Sequence, residues 1–173
     1  MVSKKLEKQI LSIKSDNDYL IPNNKIVYQK VVSELISPIK NLKADKVMAI
    51  DLKGLMYGPI VADRLGLAFA PIIKGNKIKA RNIIIKGESF IDYSNSEKSL
   101  EIFKKSVHKG ERIILIDDWF DSGKTARSAI GLIEKLGGKI VGISIIFNQL
   151  KPEDQKFFKK YNLHSIIRLN PKM

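Results

Sequence analysis

One stretch of the sequence, residues 112–125, constrains the fold more than any other. Within it, residues 113–116 form a short, unbroken and mostly β-branched apolar run, which predicts a buried strand. Asp117 and Asp118 follow where that strand should end, and a small polar turn at 121–125 opens an amphipathic helix. Ligands of α/β proteins bind at this end of the strands, and turns that open onto helix N-termini bind phosphate. Carboxylates that can hold sugar hydroxyls, beside amides that can hold phosphate, predict a site for a phosphorylated sugar.

Strand-like and helix-like segments alternate through most of the chain, which predicts an α/β fold with a mainly parallel central sheet flanked by helices. The simplest arrangement for residues 1–173 is one domain. Residues 78–96 break the alternation, because short strand-like pieces lie among charged and small polar residues, and we expect a mobile hairpin or lid there. Other strands are predicted at 46–50, 67–73, 139–147 and 164–169, and helices at 3–13, 31–39, 55–65, 97–107, after residue 125 and from residue 152.

The composition is that of an ordinary globular protein, with 44% apolar and 28% charged residues. No apolar run approaches the ~18 residues that a membrane span needs, and the first residues lack the apolar stretch of a secretory signal. The sequence contains no cysteine, which excludes a disulfide framework and a thiolate metal site. We therefore expect a cytoplasmic protein that does not associate with membranes.

The net charge of +13 raises the question of nucleic-acid binding. Only five of the 31 basic residues are arginine, the residue that dominates specific phosphate and base contacts, and the lysines are scattered along the chain. A surface of solvated lysines explains the charge more simply. RNA binding is therefore left open but not favoured.

The triplet at 123–125, Gly-Lys-Thr, matches the end of a nucleotide-binding P-loop, whose pattern is Gly-x4-Gly-Lys-Thr. That pattern requires glycine at position 118, where this chain has Asp118. A carboxylate at that position would repel nucleotide phosphate instead of letting backbone amides approach it. The P-loop interpretation is excluded.

The pattern Ile-Leu-Ile-Asp-Asp-x-x-Asp-Ser-Gly-Lys-Thr at 114–125 instead resembles the signature of type I phosphoribosyltransferases, which bind phosphoribosyl pyrophosphate (PRPP). The resemblance implies that Asp117 and Asp118 hold the ribose hydroxyls. It also implies that the turn wraps the 5′-phosphate with backbone amides and hydroxyls, and the helix N-terminus favours such an anion. The predicted 5′-phosphate residues are Asp121, Ser122, Gly123, Lys124 and Thr125.

A second segment after a predicted strand resembles the family's pyrophosphate loop, and its four residues are Asp51, Leu52, Lys53 and Gly54. In that loop a non-proline cis peptide commonly turns backbone amides toward pyrophosphate, and we expect one at Leu52–Lys53. Further along, Lys74 matches the lysine of a family segment that commonly ends in Arg-Lys, but Ile73 stands where the arginine is expected. Lys77 is the candidate that replaces this lost pyrophosphate contact.

The resemblance also implies the chemistry and the partners. The expected protein is a purine phosphoribosyltransferase, a glycosyltransferase of purine salvage. Such an enzyme joins the phosphoribosyl group of PRPP to a nucleobase and produces a nucleoside 5′-monophosphate and pyrophosphate. We also expect a homodimer. Mg²⁺ is the expected cofactor, and PRPP carries it, so no dedicated metal site is predicted. The catalytic candidates are Asp121 and the paired acids Asp117 and Asp118. Asp121 is the expected general base, and Asp92 of the lid is the alternative general acid or base.

The acceptor base is less well defined by the sequence. Family members build a hood over the base from N-terminal and C-terminal segments, here expected to include residues 1–45. Trp119 and Tyr28 are the candidate residues of the base pocket. Leu-Lys-Gly at 52–54 and the acid at position 121 favour a 6-oxopurine, whereas the overall layout favours adenine or xanthine. A non-purine acceptor and a PRPP-binding regulator of the same fold that binds RNA or another partner remain alternatives.

Overall fold

The computed structural model of the 173-residue chain describes residues 2–75, 77–79, 81–91 and 97–171. Asp92, the alternative acid of the predicted lid, lies outside these ranges. The strands are β1 (Lys46–Ile50), β2 (Ala68–Lys74), β3 (Ile84–Lys86), β4 (Phe90–Ile91), β5 (Glu97–Lys98), β6 (Leu100–Phe103), β7 (Arg112–Phe120), β8 (Lys139–Asn148) and β9 (Leu163–Arg168). The α-helices are α1 (Lys4–Asp16), α2 (Lys25–Ile36), α3 (Gly58–Leu65), α4 (Lys124–Lys135) and α5 (Pro152–Phe158).

Seven of the strands form one sheet in the order β3-β6-β2-β1-β7-β8-β9. The five strands from β2 to β9 in that order run parallel, and β6 and β3 extend the β2 edge as antiparallel strands. Strands β4 and β5 pair with each other outside this sheet. The predicted α/β class with a mainly parallel sheet is confirmed.

Apolar side chains of the central strands alternate between the two faces of the sheet, as the period of a strand requires. In β1, Met48 and Ile50 belong to one buried cluster, whereas Val47 and Ala49 belong to the other. Residues of α4 and α5 cover the first cluster, and residues of α1, α2 and α3 cover the second. Among the described residues, no helix is both long and apolar enough to cross a membrane.

Side-chain caps set where the N-terminal helices begin. The N–H of Leu6 donates to Ser3 Oγ at 3.2 Å, and the N–H of Val27 donates to Asn24 Oδ1 at 3.1 Å. Each cap satisfies an amide that has no partner inside its helix. Helix α2 therefore begins at Lys25, several residues before the predicted start at 31.

The predicted helix at 97–107 is wrong, because this segment forms β5, β6 and a 3₁₀ turn at Lys104–Ser106. Strand β6 pairs with β2 on one side and with β3 on the other. Consequently Ile84–Lys86, which the sequence placed in a mobile lid, belongs to the main sheet. The edge of β2 needs hydrogen-bonding partners, and this long-range pairing outweighs the helix-like spacing of the local apolar residues.

Strand β7 is longer than the sequence suggested. The predicted strand ended at residue 116, but pairing with β8 continues through Phe120, which lies opposite Asn148. Asp117 and Asp118 therefore lie within the strand and not after it. This fixes their backbones in the sheet, so that the two neighbouring side chains take opposite directions.

Alanine substitutions at two glycines, Gly58 of α3 and Gly131 of α4, test how tightly α3 packs on the sheet. A Cβ added to Gly58 would lie 2.5 Å from Ala49 Cβ and 2.9 Å from Phe69 Cε2, whereas a Cβ on the exposed helical Gly131 meets nothing within 4 Å. We expect Gly58→Ala to lower the free energy of unfolding by about 1–3 kcal/mol through overpacking. Gly131→Ala should raise it by roughly 0.5–1 kcal/mol, because alanine favours a helix interior.

Urea denaturation of the two variants beside the wild-type protein measures both changes. Equal effects of the two substitutions would contradict the tight packing of α3 on β1.

Candidate active site

The C-terminal ends of β1, β2 and β7 and the N-terminus of α4 surround a cleft of about 830 Å³. It lies where ligands of parallel α/β sheets bind. Of the predicted site residues, all except Gly54 and Tyr28 line this cleft. Those that do are Asp51, Leu52, Lys53, Lys74, Lys77, Asp117, Asp118, Trp119, Asp121, Ser122, Gly123, Lys124 and Thr125.

Asp117 is a buried carboxyl group at the base of the cleft. Its Oδ1 accepts a hydrogen bond of 2.9 Å from the N–H of Asp118. Burial, followed by the nearby charge of Asp118, raises the pKa of Asp117 well above its usual range. The side chain is therefore held in place by the backbone of its neighbour, and its ionised form is disfavoured in the ligand-free protein.

The ammonium group of Lys53 links two acids from distant parts of the chain. Its Nζ lies 2.7 Å from Asp18 Oδ2 and 2.8 Å from Asp118 Oδ2. Burial alone would lower the pKa of Lys53, but the charges and hydrogen bonds of Asp118 and Asp18 outweigh burial and raise it. Lys53 is therefore a permanent cation that joins the N-terminal segment, the loop after β1 and strand β7.

The loop after β1 lies close against β7 because Gly54 has no side chain. A Cβ at Gly54 would lie 3.1 Å from Asp117 Oδ1 and 3.1 Å from the carbonyl oxygen of Ile116. The loop contains a cis peptide, but it is the Asp51–Leu52 bond, one residue before the predicted Leu52–Lys53. Gly54 thus packs against β7 and does not line the cleft, whereas Leu52 is 58% exposed and lines it.

The end of β2 and the segment after it contact Asp51 of this loop. The Lys77 ammonium forms an ion pair with Asp51 Oδ2, and the backbone N–H of Lys74 donates to the same oxygen at 3.3 Å. Ile73, which stands where the family pattern expects arginine, lies in β2 opposite Glu101 of β6. Lys53, Lys74 and Lys77 all line the cleft, and Lys53 and Lys77 are each paired with a carboxylate.

The turn before α4 depends on Gly123 for two reasons. Its φ is +72°, in the left-handed region, and a Cβ there would lie 2.6 Å from Phe158 Cε2. The turn delivers the first amides of the 12-residue helix α4 to the cleft, and such amides have no acceptor within their own helix. The helix dipole adds partial positive charge at the same point, so the turn is suited to a phosphate group.

Trp119 is an aromatic residue of β7 that lines the cleft, as is Phe120. Its ring centroid lies 4.8 Å from that of Phe147, and the Nζ of Lys14 lies 4.8 Å from the same Trp119 centroid. The predicted base-pocket role of Tyr28 is not supported by its position. Its hydroxyl donates to the carbonyl oxygen of Met56, and its ring packs 5.5 Å from Tyr57, so it stabilises the N-terminal packing instead.

Three polar side chains of the cleft escaped the sequence analysis, and they belong to Asp18, Tyr19 and Lys98. Asp18 and Tyr19 follow α1 in a 3₁₀ turn, and no local motif distinguishes them from an ordinary helix end. Lys98 lies in β5, within the segment wrongly predicted as a helix. Only the packing of distant segments brings these side chains to the cleft.

The acids of the cleft do not form a metal cage. Among the described ranges, no group of three or more His, Asp or Glu side chains could hold a metal ion. Asp117 and Asp118 could still complete the coordination of an ion that arrives with a phosphorylated ligand, because carboxylate oxygens suit Mg²⁺. That a metal ion arrives with the substrate stays a prediction.

The raised pKa of Asp117 predicts a gain in stability from Asp117→Asn. As pH rises above ~4, this carboxyl ionises in the unfolded chain but stays protonated in the folded protein until a higher pH. The aspartate therefore lowers the free energy of unfolding progressively between these two pKa values, and the loss persists at higher pH. Asparagine keeps the oxygen that accepts from Asp118 but cannot ionise. We expect the variant to gain roughly 1–3 kcal/mol at pH 8, the usual scale for a poorly compensated buried polar group, and nothing near pH 3.

Chemical denaturation of the ligand-free protein at both pH values measures this gain, with Asp63→Asn as the control because Asp63 is an exposed helical acid. A loss of stability at pH 8 would show that ionised Asp117 is stabilised by its surroundings.

The comparisons with known proteins agree with this geometry. Residues 17–172 match the phosphoribosyl transferase domain family. The chain is 28% identical over 144 residues to an adenine phosphoribosyltransferase of Clostridium botulinum, covering 83% of this chain and 81% of that protein. It is 32% identical over 119 residues to the adenine phosphoribosyltransferase of Cereibacter sphaeroides, covering 69% of this chain and 65% of that protein.

Solved structures give the same result. Adenine phosphoribosyltransferase from Thermoanaerobacter pseudethanolicus superposes with a TM-score of 0.78 at 26% identity, covering 88% of this chain and 86% of that one. The Giardia lamblia enzyme complexed with 9-deazaadenine has the same fold, with a TM-score of 0.78 at 23% identity over 89% of this chain and 86% of that one. The family match spans nearly the whole chain and includes every segment that lines the cleft. The chain therefore belongs to the phosphoribosyl transferase family.

Proposed function

We propose that the protein is a purine phosphoribosyltransferase, which transfers the 5-phosphoribosyl group of PRPP to a ring nitrogen of a purine and releases pyrophosphate. The observation that carries this proposal is a single cleft in which the paired acids, the amides of α4 and the loop at 51–54 converge. The names of the relatives, adenine phosphoribosyltransferases, support the same class of acceptor.

The cleft offers a separate position for each part of PRPP. The amides at the start of α4, with the hydroxyls of Ser122 and Thr125, would hold the 5′-phosphate. Asp117 and Asp118 would accept hydrogen bonds from the ribose hydroxyls. The pyrophosphate would then lie near Lys53 and Lys74, with Lys77, the side chain of Asp51 and the backbone from Leu52 to Gly54 shaping its position.

In the reaction, a purine nitrogen attacks C1 of the ribose as the bond from C1 to the pyrophosphate oxygen breaks, with inversion at C1. Positive charge develops on the ribose ring and negative charge on the leaving group. The cleft acids lie beside the first charge and the cleft lysines beside the second, so preorganised electrostatics lower the barrier. Mg²⁺ bound to PRPP would supply further neutralisation of the pyrophosphate. Asp121 would accept the proton that the purine loses.

The reaction predicts Mg²⁺-dependent release of pyrophosphate from PRPP when a purine is present. Adenine is the first acceptor to test, followed by hypoxanthine, guanine and xanthine in separate assays. The double variant Asp117→Asn/Asp118→Asn should lose PRPP binding, measured by calorimetry, whereas the exposed control Asp63→Asn should retain it. No pyrophosphate release with any of the four purines would refute the proposed enzyme activity, and unchanged affinity in the double variant would refute the ribose contacts.

Asp121 is tested by its effect on turnover rather than on binding. If its carboxylate accepts the purine proton, Asp121→Asn should lower kcat by about 10²–10⁴-fold and leave the KM for PRPP nearly unchanged. A rise in the KM for PRPP at constant kcat would assign Asp121 to the 5′-phosphate turn instead.

The alternative is a regulator of the same fold that binds PRPP and RNA. The charge of +13 and the isoleucine at position 73 are the observations in its favour. RNA affinity that falls steeply with salt, together with an absence of turnover, would support it. The homodimeric state and the cytoplasmic location expected from the sequence stay predictions, which gel filtration with light scattering and cell fractionation would check.

A further inference from the structure

The N-terminal segment contributes two side chains to the cleft that no part of the proposed mechanism uses. Asp18 and Tyr19 begin the 3₁₀ turn Asp18–Asn23, directly after α1. Both line the same cleft as Asp118 and Trp119. The Tyr19 side chain is 42% exposed, although it is large and mostly apolar. An exposed aromatic ring in a cleft is suited to a planar ligand.

The rings of Tyr19 and Trp119 both lie near the ammonium group of Lys53. The Lys53 Nζ lies 5.2 Å from the Tyr19 ring centroid and 6.0 Å from the Trp119 ring centroid. The same ammonium touches Asp118, one of the two acids proposed for ribose. A flat heterocycle attached at C1 of that ribose would therefore come close to both rings.

Asp18 gives this position a preference for hydrogen-bond donors. Its Oδ2 accepts from Lys53 at 2.7 Å, and a carboxylate offers about four lone-pair positions, so Lys53 leaves it the capacity to accept further donors. An exocyclic amino group could donate to this carboxylate. A carbonyl oxygen at the same place would be repelled by it.

We propose that Asp18, Tyr19 and Trp119 form the acceptor subsite, in which Tyr19 and Trp119 stack on the base and Asp18 selects a purine that presents an amino group. This inference rests on the proposed function for the identity of the acceptor. Tyr19 takes the base-pocket role that the sequence predicted for Tyr28, whose hydroxyl and ring contact Met56 and Tyr57.

The stacking part is tested with a probe already present in the protein. Trp119 is the only tryptophan of the sequence, so intrinsic tryptophan fluorescence reports on this cleft alone. We expect AMP to quench it in the wild-type protein and Tyr19→Ala to weaken AMP binding roughly 5- to 100-fold, as for loss of one base–aromatic stack. Binding of ribose 5-phosphate, measured by calorimetry, should stay unchanged because it has no base.

Leu20→Ala is the matched control, since Leu20 belongs to the same turn, is 41% exposed and lines a separate groove. It should bind AMP as the wild-type protein does. Unchanged AMP affinity in Tyr19→Ala, or an equal loss of ribose 5-phosphate affinity, would overturn the stacking role. An equal loss of AMP affinity in Leu20→Ala would overturn it as well, because the turn as a whole would then be responsible.

The selecting role of Asp18 is tested by the ratio of AMP to IMP affinity. Asp18→Asn should lower this ratio about tenfold or more, the scale of one hydrogen bond to a charged group, and Asp18→Glu should restore part of it. A purely structural role, through the contact with Lys53, would weaken both nucleotides equally and leave the ratio unchanged. That result would overturn the selection.

Failure of this inference is distinguishable from failure of the proposed function. Pyrophosphate release that is insensitive to Tyr19 and Asp18 would overturn the subsite and keep the enzyme. AMP binding with the expected sensitivities but without pyrophosphate release would overturn the enzyme activity and keep the subsite.

Discussion

The ammonium group of Lys53 is the point on which the arrangement of the cleft depends. It joins Asp18 of the N-terminal segment to Asp118 of β7, and all three side chains are largely buried. Two carboxylates placed this close together without a cation would repel each other in a region of low dielectric. Removing the ammonium would therefore leave two unpaired carboxylates at the junction of the N-terminal segment and the sheet, and it would alter the charge of the cleft. The same lysine lines the cleft and belongs to the loop proposed to bind pyrophosphate.

Opposite charges lie within a few residues of each other along this wall of the cleft. Strand β7 supplies carboxylates at 117 and 118, and the N-terminus of α4 supplies amides and a positive dipole end only a few residues later. A ligand that combines hydroxyls with a phosphate group satisfies both. Gly54 and Gly123 favour this arrangement, because a Cβ at Gly123 would collide with the Phe158 ring and a Cβ at Gly54 would crowd Asp117 and the carbonyl oxygen of Ile116.

The parts of the fold that the sequence predicted are those with strong local patterns. The apolar run before Asp117, the turn at 121–125 and the loop at 51–54 each carry their own signal. The structure brings the two acids after that run, the turn and residues of the loop to one cleft. The predicted helix at 97–107 is wrong because the state of this segment is decided by pairing with β2 and β3. A single-sequence pattern contains no information about which edge is available.

The acceptor side shows the same limit. Tyr28 was a predicted residue of the base pocket, but α2 begins at Lys25 and carries the Tyr28 ring into contact with Tyr57. Asp18 and Tyr19 have no motif around them and reach the cleft because α1 packs on α2 and the sheet. The proposed donor half of the site thus rests on local sequence patterns, and the proposed acceptor half rests on tertiary packing.

The most direct test of this account is a crystal structure of the protein with PRPP and Mg²⁺. We predict 5′-phosphate oxygens within hydrogen-bond distance of the amides of residues 122–125, ribose hydroxyls on Asp117 and Asp118, and Lys53 in contact with the pyrophosphate. A phosphate bound away from the start of α4, or a ribose without contact to either acid, would contradict it.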